Sequence, residues 1–221
     1  MTRGKNYKNS AKKLDNAKDK ALSLPEAIKA VKISSYSKFP GTIELKLAAK
    51  FEGTARFSVT YPNSFAKEQR ILVLTDDSKK SAALEAGATY AGLDEYVSKI
   101  KDGWFDFDVV IATPSVMPKI AILGKYLGTR GMMPNPKAGT ITDDLTTAVN
   151  TYKAGKTDFK ADKTGVMHIK IGKTNMDDDK LIQNIETALS ELEKSTGKNV
   201  KSMVKSTYLV PTMGKSVKVI L

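Results

Sequence analysis

Ile71-Leu72-Val73-Leu74-Thr75 followed by Asp76-Asp77-Ser78, ILVLTDDS in one-letter code, decides how the middle of this 221-residue chain is built. A short apolar run suits a strand buried on both faces, as parallel strands are, and the acids and serine after it supply helix N-cap chemistry. The spacing predicts a helix over Lys79–Ala86 ended by Gly87, a short strand near Tyr90–Ala91 and a helix over Leu93–Lys101. Phe107 to Pro114, FDVVIATP, is the clearest buried strand of the chain; a helix over Ser115–Leu127 follows, then a loop, then a helix from about Thr142 to Ala154. Strands spaced by helical patterns imply a parallel sheet covered on both faces, so residues 65–156 read as a Rossmann-like α/β unit.

Outward from that series the pattern changes. Leu24-Pro25-Glu26-Ala27-Ile28 opens a helix to about Ile33, and Thr42–Lys50, TIELKLAAK, alternates as a half-buried strand should, with Phe57–Tyr61 as its expected partner. After residue 157, strand candidates at Asp158–Asp162 and Val166–Ile171 flank a turn at Lys163-Thr164-Gly165. Asp177–Lys194 is an amphipathic helix whose acidic start suits the macrodipole, and strands near Val200–Val210 and Ser216–Leu221 complete the pattern. Neither flank alone has enough elements for a stable sheet domain. The expected architecture is therefore α/β with two domains: a discontinuous α+β sheet domain from 1–64 and 157–221, and an inserted parallel domain over 65–156.

Charge follows the same division. The chain has 36 Lys and Arg against 24 Asp and Glu, a net of +12. Residues 65–156 hold 12 basic and 11 acidic side chains, leaving 24 and 13 for the two flanks. Residues 198–221 carry five lysines and no acid. A surplus of that kind favours a polyanion, most often nucleic acid, and assigns it to the discontinuous domain.

Chemistry beyond charge is sparse. Zero cysteines remove disulfides, thiolate metal sites and cysteine nucleophiles together. The N-terminal stretch is polar and basic, unlike a secretory signal, and no run approaches the roughly twenty apolar residues of a spanning helix, so a cytoplasmic protein without a membrane partner is expected. Gly155-Lys156-Thr157, Gly172-Lys173-Thr174 and Gly214-Lys215-Ser216 look like the ends of phosphate loops, but the earlier glycine is replaced by Asn150, Met167 and Leu209. His168 is the only histidine and cannot anchor a usual zinc site; Asp106 and Asp108 lead into a buried strand, and Asp177–Asp179 read as a helix start. No nucleophile–base pair is present, so no cofactor, metal or catalytic residue is expected. A nucleotide-dependent enzyme and a DNA-binding regulator are the rival classes. The first lacks a glycine fingerprint, the second an evident helix-turn-helix.

Two features point to RNA. Thr212-Met213-Gly214 lies between strand candidates in the acid-free stretch. A threonine hydroxyl can meet a ribose 2′-OH, a thioether can pack on a sugar or base, and glycine admits a close backbone; a tight hairpin with a buried methionine is the equal alternative. Phe39, beside Lys38, can stack on a base or lie in the core. The third conspicuous stretch is GTRGMMPNPKAGT, Gly128 to Thr140, a basic loop stiffened by Pro134 and Pro136 and free of acids.

That loop closely resembles the LGPRGLMPNPKTGT signature of the large-subunit ribosomal protein L-one family. The likeness extends to Tyr7–Lys13 with LPEAIKAV (Leu24–Val31), to Lys38-Phe39 with Thr42, to GWFDFDVVIATP (Gly103–Pro114), to FKADKTGVMHIKIGK (Phe159–Lys173) and to KSTYLVPTMGKSV (Lys205–Val217). The resemblance implies the two-domain fold and binding of a folded segment of large-subunit rRNA, forming the mobile ribosomal stalk near the site where deacylated tRNA leaves. For a bacterial member it also implies repression of its own operon through an mRNA site that mimics the rRNA, contact with exit-site tRNA, and a monomer when free. Carried over position by position, the RNA-contacting set is Phe39, Thr42, Glu44, Lys163, Thr164, Gly165, His168, Ser206, Thr212, Met213 and Gly214. The signature-loop residues are Gly128, Arg130, Gly131, Met133, Pro134, Asn135, Pro136, Lys137 and Gly139, expected as a second rRNA contact or a hinge. The chain departs from the family at Ala49–Gln69 and at Thr129, where a proline is usual and its loss should loosen the turn.

Overall fold

The computed structural model describes residues 4–14, 20–49, 56–65, 69–162 and 164–221; Lys163 and residues 50–55 and 66–68 of the divergent stretch lie outside them. The chain splits into two compact units, Met1–Phe65 with Asp158–Leu221 and Ala66–Thr157. In chain order the elements are α1 (Lys5–Lys12), α2 (Leu24–Ser34), β1 (Thr42–Ala49), β2 (Arg56–Val59), β3 (Ile71–Leu74), α3 (Lys80–Glu85), β4 (Tyr90–Gly92), α4 (Asp94–Lys101), β5 (Val109–Ala112), α5 (Met117–Ile120), α6 (Gly124–Leu127), α7 (Leu145–Lys153), β6 (Thr157–Lys160), β7 (Val166–Lys173), α8 (Asp178–Thr196), α9 (Val200–Met203), β8 (Val204–Pro211) and β9 (Val217–Val219).

The terminal unit is built on a four-stranded sheet in the order β7-β1-β8-β9. All three pairings are antiparallel. β1 alternates half-buried and buried along its whole length. Its inward residues Ile43, Leu45 and Leu47 join Met167, Ile169, Ile171, Leu209, Val217 and Val219 against Ile28 and Val31 of α2 and Leu181, Ile185 and Leu192 of α8. Each such side chain contributes about 1.5–3 kcal/mol when fully withdrawn from water, and that burial is what orients the sheet. Helix ends follow local chemistry. The Glu26 carboxylate accepts from the Ser23 hydroxyl (2.7 Å) and backbone N–H (3.2 Å), which holds its acid below the usual range. Gly197, at φ 65°, closes α8 in the left-handed conformation. Fully buried Asn184 donates from Nδ2 to the carbonyls of Ile171 (2.8 Å) and Asn63 (3.0 Å), tying α8 to the sheet.

Two expectations fail here. The strand in the Phe57–Tyr61 region does not pair with β1; β2 pairs with β6 in a separate two-stranded sheet, because β7 and β8 occupy both edges of β1. The stretch from Val200 also begins as the helical turn α9, since the Asn199 side chain accepts from the Lys201 N–H (2.9 Å) and caps it; extended structure starts at Val204.

The middle unit is a parallel sheet in the order β4-β3-β5. Alternate residues of β3 serve two cores. Leu72 and Leu74 pack with Ile100, Phe107, Ile120, Leu123 and Leu127, whereas Ile71 and Val73 pack with Ala83, Leu145, Val149 and Tyr152. Both faces are thus covered, as the continuous apolar run requires. Asp106 and Asp108 clamp the Arg70 side chain at the entrance to β3, and Asp108 also accepts from the Arg70 N–H (3.0 Å). Hydrogen bonding to that guanidinium keeps the Asp108 carboxyl low. The single helix expected over Ser115–Leu127 is instead a chain of short turns: 3-10 at Pro114–Val116, α5, 3-10 at Ala121–Leu123, then α6. Pro118 supplies no N–H, and Gly124 disfavours helix, so no continuous ladder holds.

Candidate nucleic-acid interface

In the terminal unit the helices cover one face of the sheet, and the opposite face is open among the described residues. The register there forms rungs across the strands. His168, Lys46 and Tyr208 lie side by side, with Lys218 next to Tyr208. Lys170, Glu44 and Val210 make the next rung, and Val166, Ala48 and Ser206 the rung on the other side. Thr42 stands opposite Lys173 at one end. Four strands spaced by about 4.8 Å and six residues of β1 rising about 3.3 Å each give a face of roughly 14 by 20 Å. Glu44 is the one carboxylate in these rungs, and the His168 Nδ1 lies 4.0 Å from its Oε2. A carboxylate among lysines opposes phosphate but accepts a hydrogen bond from a ribose hydroxyl or a base amino group.

Thr212, Met213 and Gly214 form the rim beyond Thr42. The Thr212 hydroxyl accepts from the Thr42 N–H (2.8 Å) and donates to the Thr42 carbonyl (3.1 Å), so its proton is used inside the protein and its remaining lone pair can accept from a 2′-OH. Met213 is 40% exposed rather than buried in a hairpin, and its carbonyl accepts from the Tyr36 N–H. Gly214 is glycine for an internal reason: a Cβ there would stand 2.7 Å from the Ser34 carbonyl oxygen and 2.8 Å from Pro211. Close approach of a ligand backbone is not needed to explain it. Phe39 is 56% exposed, which removes it from the core, on a bend where the Ser37 hydroxyl donates to its carbonyl (2.9 Å).

The opposite rim is the turn before β7. The Asp162 carboxylate accepts from the Thr164 hydroxyl (2.7 Å), the Thr164 N–H (2.9 Å) and the Val166 N–H (2.8 Å), bonds that hold its acid below the usual carboxylate range. Gly165 adopts φ 79° and brings its carbonyl to the Ala49 N–H (3.0 Å); a side chain would collide with the Ala49 carbonyl at 2.5 Å. Lys163 lies outside the described residues.

Thr42, Glu44, His168 and Ser206 therefore share the open face, with Thr212–Gly214 at one end and Thr164-Gly165 at the other. Lys46, Lys170 and Tyr208 on that face were not singled out from sequence, and Lys218 only as one of the five lysines of the acid-free stretch. Lys46 was findable, because alternation in TIELKLAAK places it with Thr42 and Glu44. The other three needed the strand pairings.

The signature loop belongs to the middle unit and has its own internal order. Thr140, buried, accepts from the Asn135 N–H (2.7 Å) and donates to the Asn135 carbonyl (3.1 Å), while Gly131 and Gly139 each take φ 74°. Met132 and Met133 pack on the hydrophobic cluster, Pro134 is buried, and a 3-10 turn spans Pro136–Ala138. The Arg130 guanidinium stacks 3.7 Å from the Phe105 ring centre. Gly128 continues the helical conformation after α6, and the Thr129 hydroxyl donates to the Tyr126 carbonyl (3.0 Å). A side-chain hydrogen bond to the backbone thus stands where the usual proline ring would be. At the carboxyl ends of β3 and β4, where such folds seat phosphates, a cleft of about 270 Å³ is lined by Asp76, Asp77, Asp94 and Glu95 with Lys80 and Lys119. Four carboxylates there oppose a nucleotide phosphate.

Residues 29–215 match the Ribosomal protein L1p/L10e family, and the chain belongs to that family. It is 40% identical to the large ribosomal subunit protein uL1 of Treponema denticola over 98% of this chain and 96% of that protein. It is 42% identical to the uL1 of Treponema pallidum strain Nichols, covering 100% and 98%, and to that of Bacteroides thetaiotaomicron, covering 97% and 94%. Membership in a family of ribosomal proteins decides against the enzyme reading.

Proposed function

We propose that this protein is a structural constituent of the large ribosomal subunit that holds folded large-subunit rRNA on the open face and rims of its terminal sheet. The observation that carries the reading is spatial. Residues drawn from positions 39–44, 164–168 and 206–214 come together on one surface of the unit that holds the charge surplus. On it, lysines supply the sequence-independent attraction to phosphate. Glu44, Thr212 and Met213 supply contacts that depend on ribose hydroxyls and on shape.

In the fuller reading, which the family resemblance supports, the RNA and protein form the mobile stalk that takes part in release of deacylated tRNA, with exit-site tRNA as a transient partner. The same surface binds the protein's own operon mRNA and represses its translation. The protein then works in the cytoplasm and is a monomer when free of the ribosome. Among the described residues no helix is long and apolar enough to cross a membrane. A footprint on total large-subunit rRNA tests the core of the proposal: protection of one folded junction, lost on adding the operon leader transcript, is expected. Diffuse protection along the whole rRNA would sink the rRNA reading, and a leader that fails to compete would remove the repressor role alone.

A further inference from the structure

We infer that Tyr208 is a stacking platform for one nucleotide of the bound RNA, held between Lys46 and Lys218 at the centre of the open sheet face. The inference rests on the rRNA reading above and assigns a contact that the family-derived residue set does not contain.

Tyr208 alternates with Thr207 and Leu209, both buried, so its ring stands on the face away from the helices. It is 36% exposed, one of few large apolar side chains of the terminal unit left in contact with water. Its neighbours in register are Lys46 on β1 and Lys218 on β9, and His168 follows Lys46 on β7. Directly opposed residues in antiparallel strands have Cβ atoms about 5 Å apart, so a lysine stands on each side of the ring. An aromatic plane supplies sequence-tolerant stacking, and cations on both sides supply backbone attraction. Among the described residues the face is charged, with the Tyr208 ring near its middle and the His168 imidazole two strands away, which suits a nucleotide and not the apolar patch of a protein partner. Tyr208 also lies between the two rims, two strand positions from Ser206, so an RNA that reaches both rims passes over it.

The test uses the full-length protein and the rRNA fragment that it protects. Tyr208→Phe is expected to bind within twofold of the parent and Tyr208→Ala about tenfold more weakly, with the slope of log K against log salt unchanged, because stacking releases no counterions. Lys46→Gln and Lys218→Gln should each flatten that slope by about 0.7–0.9. Tyr208→Trp should keep its affinity and lose emission on RNA addition beyond any change from Trp104 in the parent. Thermal melts of all variants check the fold. If Tyr208→Ala melts early, the tryptophan quench decides. Parent-like affinity in Tyr208→Ala, or no added quench in Tyr208→Trp, overturns the platform while leaving rRNA binding by the rims intact. Loss of binding in Thr212 and Met213 variants separates that case from failure of the rRNA reading itself.

Discussion

The two sheets of this protein differ in what lies on their faces. In the middle unit, parallel strands joined by helical crossovers are covered on both sides, and β3 feeds a separate apolar cluster with each set of alternate residues. In the terminal unit, β7 and β8 flank β1 and are joined through α8, and α2 and α8 both pack on the same face. Basic and acidic residues nearly balance over 65–156, whereas the flanks hold 24 against 13. The uncovered sheet is thus also the one in the charged unit. Topology leaves the surface and composition charges it.

The strongest way to break this contrast is to separate the units. Residues 1–65 joined to 158–221 by a short linker should bind the rRNA fragment within about tenfold of the whole protein and with a similar salt slope, while residues 66–157 alone should bind at least about a hundredfold more weakly. Filter binding at several salt concentrations checks this; comparable affinities for the two pieces would end the division of labour.

The rim comes next in size. Gly214→Ala forces a methyl against the Ser34 carbonyl and should cost about 1–3 kcal/mol in a denaturant melt, with loss of RNA affinity as the loop shifts. Thr212→Val with Met213→Ala should weaken specific binding several-fold without moving the salt slope. A change in slope alone would show that the triplet acts only through charge placement.

A smaller effect concerns pH. The Asp162 carboxylate is stabilised chiefly by the Thr164 hydroxyl and then by the Val166 N–H, so it gives up its proton more readily when folded than when unfolded. Its contribution is complete above the ordinary carboxylate value of about 3.9 and disappears as pH falls through the lower folded value. The difference in melting temperature between parent and Asp162→Asn should therefore be flat from pH 7 to 5 and shrink below about 4. A difference that stays constant down to pH 2.5 would exclude this source of stability.

The least effect is expected in the middle unit. Arg130→Ala removes the stack on Phe105, worth about 0.5–1 kcal/mol at an exposed site, and should change rRNA affinity by less than twofold. A tenfold loss would make the signature loop a principal contact and blur the comparison.

Much of the fold was legible because it rests on short-range pattern. ILVL and VVIA read as strands buried on two faces, TIELKLAA as one buried on a single face, and each lies where its spacing placed it. Misreadings came where a local competitor intervened. Asn199 capped a helical turn in place of a strand start, and Pro118 with Gly124 divided an apolar stretch whose periodicity alone suggested one helix. Thr129 was legible as a departure but not as a replacement, because its hydrogen bond to Tyr126 depends on the folded turn.

By itself, the sequence determined which face of each strand is apolar, where helices such as α2 and α8 start and stop, and that the positive charge collects in the flanks, since these depend on neighbours within a few residues. Tertiary structure alone decided that β1 lies between β7 and β8, strands more than a hundred residues further along the chain. That choice comes from joint burial of side chains distant in sequence. It sets Tyr208 beside Lys46 and Lys218, and it fits Gly214 against Ser34.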